Sequence, residues 1–333
     1  MELPMKDRIE NSGEDQRRII SIVMPAMNEE ENLPRAYEEV THIFQHLPNY
    51  DFEVLIIDNN STDRTADVCA TICAKDKTWK YIRFSRNFTV EMSITAGLKY
   101  AKGDAVIVLF SDLQDPPELI PKFVEKWEQG YDMVCGLLNN RADDSWWKKI
   151  SARFVYRILN RLSDVKLPEN MVDFRLMSRQ VVDAINRLEE RNRYFRGLSH
   201  WVGFKTISIS YDRRPRFKGK SNAPFFYLVD FVLRALTNFS VFPLRVFSGV
   251  GLVLLGFVGI YICFTLFSFI LGYTIPGLTS IIILLLLNLA VLSLGIGTLG
   301  EYIGRIYMET KKRPLWIVDK TLNISITDCE KYG

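Results

Sequence analysis

The string Ser111-Asp-Leu-Gln-Asp-Pro-Pro117 directly follows an apolar run, Ala105–Phe110. Asp112 and Gln114 stand two residues apart in a tight turn, a carboxylate and an amide oxygen that suit a hard divalent cation. Mg2+ typically takes one or two carboxylates and keeps water or substrate phosphate oxygens in its other positions. The same string also reads as a polar turn capping the helix that follows Pro116-Pro117. Three more polar segments follow apolar runs in the same manner: Pro25–Glu30, Asp58–Asp63 and Ser85–Phe88.

The elements that must position these segments alternate in type. Ile19–Met24 reads as a strand, and Asn28 as the cap of a helix with Glu29, Glu30 and Glu31 in its first turn. Glu53–Ile57 is a second strand, followed by a helix from Asp63 to about Lys75. Trp79–Phe84 and Ala105–Phe110 are further strands, with a helix near Val90–Ala101 between them. The helix after Pro117 places Leu119, Ile120, Phe123, Val124 and Trp127 on one face, and Tyr131–Gly136 is a fifth strand. This rhythm predicts an α/β domain with a mainly parallel sheet covered by helices on both faces. Ligands of such sheets bind beyond the carboxyl ends of the strands, so all four polar segments are expected on one rim. Ser145–Asp164 reads as helix and Lys205–Tyr211 as strand. A basic loop, Arg213-Arg-Pro-Arg-Phe-Lys-Gly-Lys-Ser221, comes next.

The second half of the chain differs in kind. Val246–Gly300 runs 55 residues without Asp, Glu, Lys, Arg or His. A spanning helix needs about 20 apolar residues, so this run holds two, broken near Gly272, Pro276 and Gly277. Spans of about 247–270 and 279–300 form a hairpin within 242–308. Residues 222–241 precede it and read as an interfacial amphipathic helix, although an ordinary core helix fits the pattern of Ala223–Phe239 equally well. Arg234 and Arg245 lie before the hairpin, and Arg305, Lys311, Lys312 and Arg313 after it. The positive-inside rule then puts the domain of 19–221 and both termini in the cytoplasm. Residues 1–18 lack the apolar core of a signal peptide and read as a flexible tail, and 309–333 as a C-terminal tail. The net charge of +3 across 333 residues gives no footing for nucleic acid. Five cysteines at irregular spacing read as reduced thiols, and His42, His46 and His200 receive no role.

Taken in order, these segments are joined by Asp173-Phe-Arg-Leu-Met-Ser-Arg179, Phe242-Pro-Leu-Arg245, Leu299-Gly-Glu-Tyr-Ile-Gly-Arg-Ile-Tyr-Met-Glu309 and Lys312-Arg-Pro314. The set closely resembles the inverting glycosyltransferase family 2 enzymes that load a sugar onto polyprenyl phosphate. Bactoprenol glucosyltransferases of O-antigen and wall-polymer modification are the nearest resemblance, and dolichyl-phosphate mannose synthase a more distant one. The resemblance covers residues 19 to about 318.

It implies a GT-A-type nucleotide-sugar-binding domain at a bacterial inner membrane, using Mg2+ or Mn2+. By position, Pro25, Asn28 and Glu30 would border the nucleotide, with Arg86 and Asn87 nearby. Asp58, Asn59 and Ser61 would hold the base and ribose. Asp112 would meet the donor and, with Gln114, bind the metal. Asp173 and Arg175 would lie at the reacting centre, with a structural ion pair as the other reading. Arg213, Arg216 and Ser221 would meet the acceptor phosphate. The implied donor is a UDP-sugar, glucose first, and the implied assembly a homo-oligomer, a tetramer among relatives.

Three departures stand out. Phe110 occupies the place of the usual first metal-binding Asp. The nucleotide loop is Asp58-Asn59-Asn60-Ser61, so an amide that both donates and accepts replaces a carboxylate and admits a CDP-sugar as an alternative donor. Thr89-Val90-Glu91 replaces Gly-Lys-Glu, and Asn222 replaces the Lys usual after Ser221. A membrane scaffold of the same fold without turnover is the alternative function.

Overall fold

The computed structural model describes residues 17–139, 171–191, 193–214 and 277–327, with Lys331 and isolated positions between 253 and 271. Arg216, Ser221, the helices expected at Ser145–Asp164 and Ala223–Phe239, and the turn at 272–276 lie outside the described residues.

Eight strands form one sheet: β1 Arg18–Ala26, β2 Tyr50–Asp58, β3 Trp79–Phe84, β4 Ala105–Val108, β5 Met133–Leu138, β6 Met171–Ser178, β7 Thr206–Tyr211 and β8 Val318–Leu322. Their order is β7-β5-β6-β4-β1-β2-β3-β8. β4, β1, β2 and β3 run parallel, as do β5 and β7; β6 and β8 run against their neighbours. β1 is buried from Ile20 to Ala26 and β4 throughout. Such unbroken apolar runs mark strands covered on both faces.

Alternate residues point to opposite faces, and two cores result. Ile20, Ile22 and Met24 join α1 (Leu33–Phe44), α2 (Thr65–Lys75) and α4 (Ile120–Glu128) on one side. Val23, Leu55 and Ile57 join α3 (Val90–Tyr100) and α5 (Arg179–Asn186) on the other. The buried residues of α1, Leu33, Ala36, Val40 and Ile43, recur at helical spacing. α3 lies so close to β1 that a Cβ on Gly97 would overlap the Val23 methyls.

Three local expectations change. α1 starts at Leu33, with Pro34 in its first turn, and not after Asn28. Asn28 has φ 57°. The N–H groups of Asn28, Glu29 and Glu30 donate to Ser61 Oγ, Thr65 Oγ1 and Asp63 Oδ2, and such side-chain bonds compete with helix formation. Asp173–Arg179, read only as a motif, falls mostly in a buried strand, Met171–Ser178, between β4 and β5. Residues 318–322, within the expected tail, form β8 against β3.

α7 is a single helix of 33 residues, Leu278–Thr310, about 50 Å long at ~1.5 Å per residue. Its stretch Leu287–Thr310 is long and apolar enough to cross a membrane, and none of its described side chains is buried. The last turn of this helix and the chain beyond it dock on the α/β domain. Glu309 accepts the Arg191 N–H at 2.9 Å. Trp316, 1% exposed, donates its indole N–H to the Tyr100 hydroxyl at 3.0 Å.

Candidate active site

The rim at the carboxyl ends of β1, β2, β3 and β4 gathers the four polar segments. Asp58 anchors the second. Its Oδ1 accepts the Ser61 N–H at 2.8 Å and hydroxyl at 2.6 Å, and its Oδ2 the Tyr81 hydroxyl at 2.6 Å. Asn28 Oδ1 accepts the Thr62 N–H at 2.8 Å, and Glu30 Oε2 the Arg64 N–H at 3.1 Å. Pro25 is buried, and its carbonyl accepts the Ser111 hydroxyl at 3.3 Å. Loops one, two and four are thus stitched together through short polar side chains.

Backbone strain collects on the same rim. Asn28, Asn60, Thr89 and Leu113 all have positive φ. Asn tolerates this region, but Thr and Leu are genuine outliers there. Each strained residue costs about 1–3 kcal/mol, and such residues cluster at functional sites.

Asn59 does not stand open for a base. It is 5% exposed, its Oδ1 accepts the Phe88 N–H at 2.8 Å, and its Nδ2 donates to Asn87 Oδ1 at 2.9 Å. The dual character of the amide is used to tie the second loop to the third. Asn87 is exposed, and the exposed Arg86 guanidinium lies 4.0 Å from the Phe88 ring centroid.

Asp112 is half-buried, and its Oδ1 accepts the Gln114 N–H at 3.3 Å. Phe110 packs against the second core, so the position of the usual carboxylate is filled by an apolar side chain. Among the described residues no group of three or more His, Cys, Asp or Glu side chains is arranged to hold a metal ion. One half-exposed carboxylate with an amide oxygen still fits a cation that keeps most of its positions for water and diphosphate oxygens.

β6 delivers Asp173 to the rim. Arg196, in the first turn of α6 (Phe195–Trp201), grips its carboxylate with Nε and Nη2 at 2.8 and 2.6 Å. Burial would raise the Asp173 pKa, but Arg196 and Arg175 outweigh it and hold the carboxyl below its usual range. Arg175 corrects an expectation. It is fully buried, bonded to the Val172 carbonyl at 2.7 Å and to the Ser199 hydroxyl, with its Nη2 3.8 Å from Asp173. No atom of it reaches the rim surface. The partner that does was missed: Arg196 lies 23 positions from Asp173, and no local spacing signals the pair.

Glu91, in the first turn of α3, accepts the Phe195 N–H at 3.2 Å. Burial and the neighbouring Asp173 charge push its pKa up to about 7. Glu91 and Asp173 are thus two neighbouring carboxyls shifted in opposite directions and flanked by arginines, the pattern that nominates a candidate site. Arg213, expected on acceptor phosphate, instead donates to Asp115 at 3.1 and 3.3 Å. Burial raises the Asp115 pKa, opposed by Arg213 and Tyr211. His42 and His46, given no role, line a pocket of about 320 Å³ with Glu39 and Glu118.

An α/β fold with a mainly parallel sheet thus carries a polar rim beyond the carboxyl ends of its strands, where such folds bind ligands. The profile of glycosyl transferase family 2 matches residues 21–185. A prophage bactoprenol glucosyl transferase homolog of Escherichia coli is 39% identical over 90% of this chain and 98% of its own. A prophage-derived bactoprenol glucosyl transferase of Shigella flexneri is 40% identical over 91% and 98%. An uncharacterised glycosyltransferase of Synechocystis is 36% identical over 94% and 99%. Glucosyl-3-phosphoglycerate synthase of Mycobacterium tuberculosis, at 17% identity over 66% of this chain and 79% of that one, has a TM-score of 0.45, too low to bear on function. The chain belongs to glycosyl transferase family 2 and is a glycosyltransferase.

Proposed function

We propose that the chain transfers a sugar, glucose first, from a UDP-sugar to a polyprenyl phosphate such as undecaprenyl phosphate, with inversion, at the cytoplasmic face of a bacterial inner membrane. The observation that carries this reading is Asp112 on one rim with the Asp58 loop and the Asp173–Arg196 pair, in a chain matching bactoprenol glucosyl transferases over nearly their whole length. Residues 279–300 of α7 serve as one span and residues 247–270 as the other, with the membrane bringing the lipid to the rim. Both termini lie in the cytoplasm, and the chain assembles as a homo-oligomer.

In this reading Pro25, Asn28 and Glu30 border the nucleotide, Asp58 and Ser61 shape the base and ribose loop, and Arg86 and Asn87 flank the donor. Asp112 and Gln114 hold Mg2+ or Mn2+. When bound, the cation supplies positive charge to the departing diphosphate. The acceptor, a phosphate monoester with its second pKa near about 6, is largely ionised at neutral pH and needs no strong base. Asp173 therefore acts by orienting Arg196, which faces the incoming phosphate, rather than by removing a proton. The basic loop ending in Arg216 and Ser221 adds cations for that phosphate.

The test is transfer from labelled UDP-, CDP-, GDP- and dTDP-sugars to undecaprenyl phosphate by the full chain, with Mn2+, Mg2+ or EDTA. Metal-dependent labelling from the UDP-sugar, lost in Asp112→Ala, is expected. Labelling from a CDP-sugar alone assigns another donor, and none from any donor by folded protein overturns the reading in favour of a scaffold.

A further inference from the structure

Asp115 belongs to none of the roles above, yet it is 1% exposed beside the rim. A buried carboxylate is tolerated where its oxygens are matched. Here the Tyr211 hydroxyl donates to Oδ1 at 2.5 Å, and Arg213 Nε and Nη2 donate to Oδ1 and Oδ2 at 3.1 and 3.3 Å. The joint continues on both sides. The Arg214 N–H donates to the Gln114 carbonyl at 2.9 Å, and its guanidinium bridges Glu39, at 2.7 Å, and Glu118. The Asn139 N–H donates to the Tyr211 carbonyl at 3.0 Å. Residues 211–214, the root of the basic loop, are thereby fixed to the turn that carries Asp112 and Gln114. The Arg213 charge also reaches Asp173.

We propose that Asp115 is a positioning residue that locks the root of the basic loop onto the metal-binding turn, setting the acceptor phosphate at reacting distance from the donor diphosphate. The proposal rests on the polyprenyl-phosphate reading. Arg213 then acts through Asp115 and does not bind phosphate itself. The carboxylate joins two loops that serve different substrates, so its loss frees the root of the acceptor loop and weakens acceptor binding, while the donor loops keep their own contacts.

The experiment uses the full chain in lipid nanodiscs, with Asp115→Asn, Arg213→Gln and the double variant. Asp115→Asn is expected to raise the KM for undecaprenyl phosphate fivefold or more, with the KM for the nucleotide-sugar within twofold of the parent. Arg213→Gln should match it, and the double variant should be no worse than either single, because both break one joint. Tyr211→Phe, which removes one bond and keeps the charge pair, should give the same bias at smaller size and covers a failure of Asp115→Asn to fold. Equal rises in both KM values, or additive losses in the double variant, overturn the proposal. Amide exchange separates the two readings. If the parent labels no lipid phosphate, the reaction assignment falls; faster exchange across 206–214 in Asp115→Asn still supports the lock, and unchanged exchange overturns it.

Discussion

Arg196 holds Asp173 through two side-by-side bonds, Nε to Oδ1 and Nη2 to Oδ2, at 2.8 and 2.6 Å. A planar fork matches a carboxylate in a way that an ammonium cannot. Arg196→Lys keeps the charge but loses one bond and the orientation. We expect kcat/KM for lipid glycosylation to fall about 10- to 100-fold, ~1.4–2.7 kcal/mol of transition-state stabilisation, with donor KM little changed. An unaltered kcat/KM would remove the pair from the reacting centre.

Glu91 sets a pH dependence of opposite sign to that of Asp173. Its pKa is raised from an ordinary 4.5 to about 7, so between those values the folded chain keeps a proton that the unfolded chain has released. Stability then declines as pH rises through this window. Glu91→Gln removes the decline, so its thermal midpoint should exceed the parent's by more at pH 8 than at pH 5. For Asp173, whose pKa is lowered, stability is lost as pH falls. Parallel midpoint-against-pH curves for parent and Glu91→Gln would refute the assignment.

Phe110 offers a gain-of-function test. Phe110→Asp adds a carboxylate two positions before Asp112, which should lower the half-saturating Mg2+ or Mn2+ concentration for transfer severalfold. It also removes an apolar side chain packed on the second core, at a cost of about 1–3 kcal/mol. A metal titration that does not shift would place residue 110 away from the cation.

Trp316 fastens the segment after α7 to the domain. Trp316→Ala should lower stability by roughly 3–5 kcal/mol, the range for deleting a buried large aromatic, and accelerate amide exchange in both β8 and β3. Trp316→Phe, which loses the bond to Tyr100 but keeps most of the packing, should cost less. Equal effects of the two variants would show that the hydrogen bond, not the burial, carries the joint.

Gly97→Ala tests the seam between α3 and β1. The added methyl overlaps Val23, and overpacking of this kind costs about 1–3 kcal/mol. Val23→Ala in the same chain should restore part of the loss. Additive destabilisation by the two substitutions would mean that the methyls do not meet.

The sequence by itself determined the order of strands and helices through β5, as well as the strand that became β7, and the convergence of four polar segments on one rim. Those follow from local causes: apolar runs of strand length, helical spacing in α1 and α4, and polar residues after each strand. Trp79–Phe84 was legible to the residue. Only the tertiary structure decided which side chains meet. It buried Arg175 and presented Arg196, closed Asn59 onto Asn87 and Phe88, drew Arg213 to Asp115 across 98 positions of chain, and returned residues 318–322 to the sheet. Periodicity fixes a residue's face within its own element. The partner across the site depends on how separate elements pack, and at these separations no spacing in the chain records it.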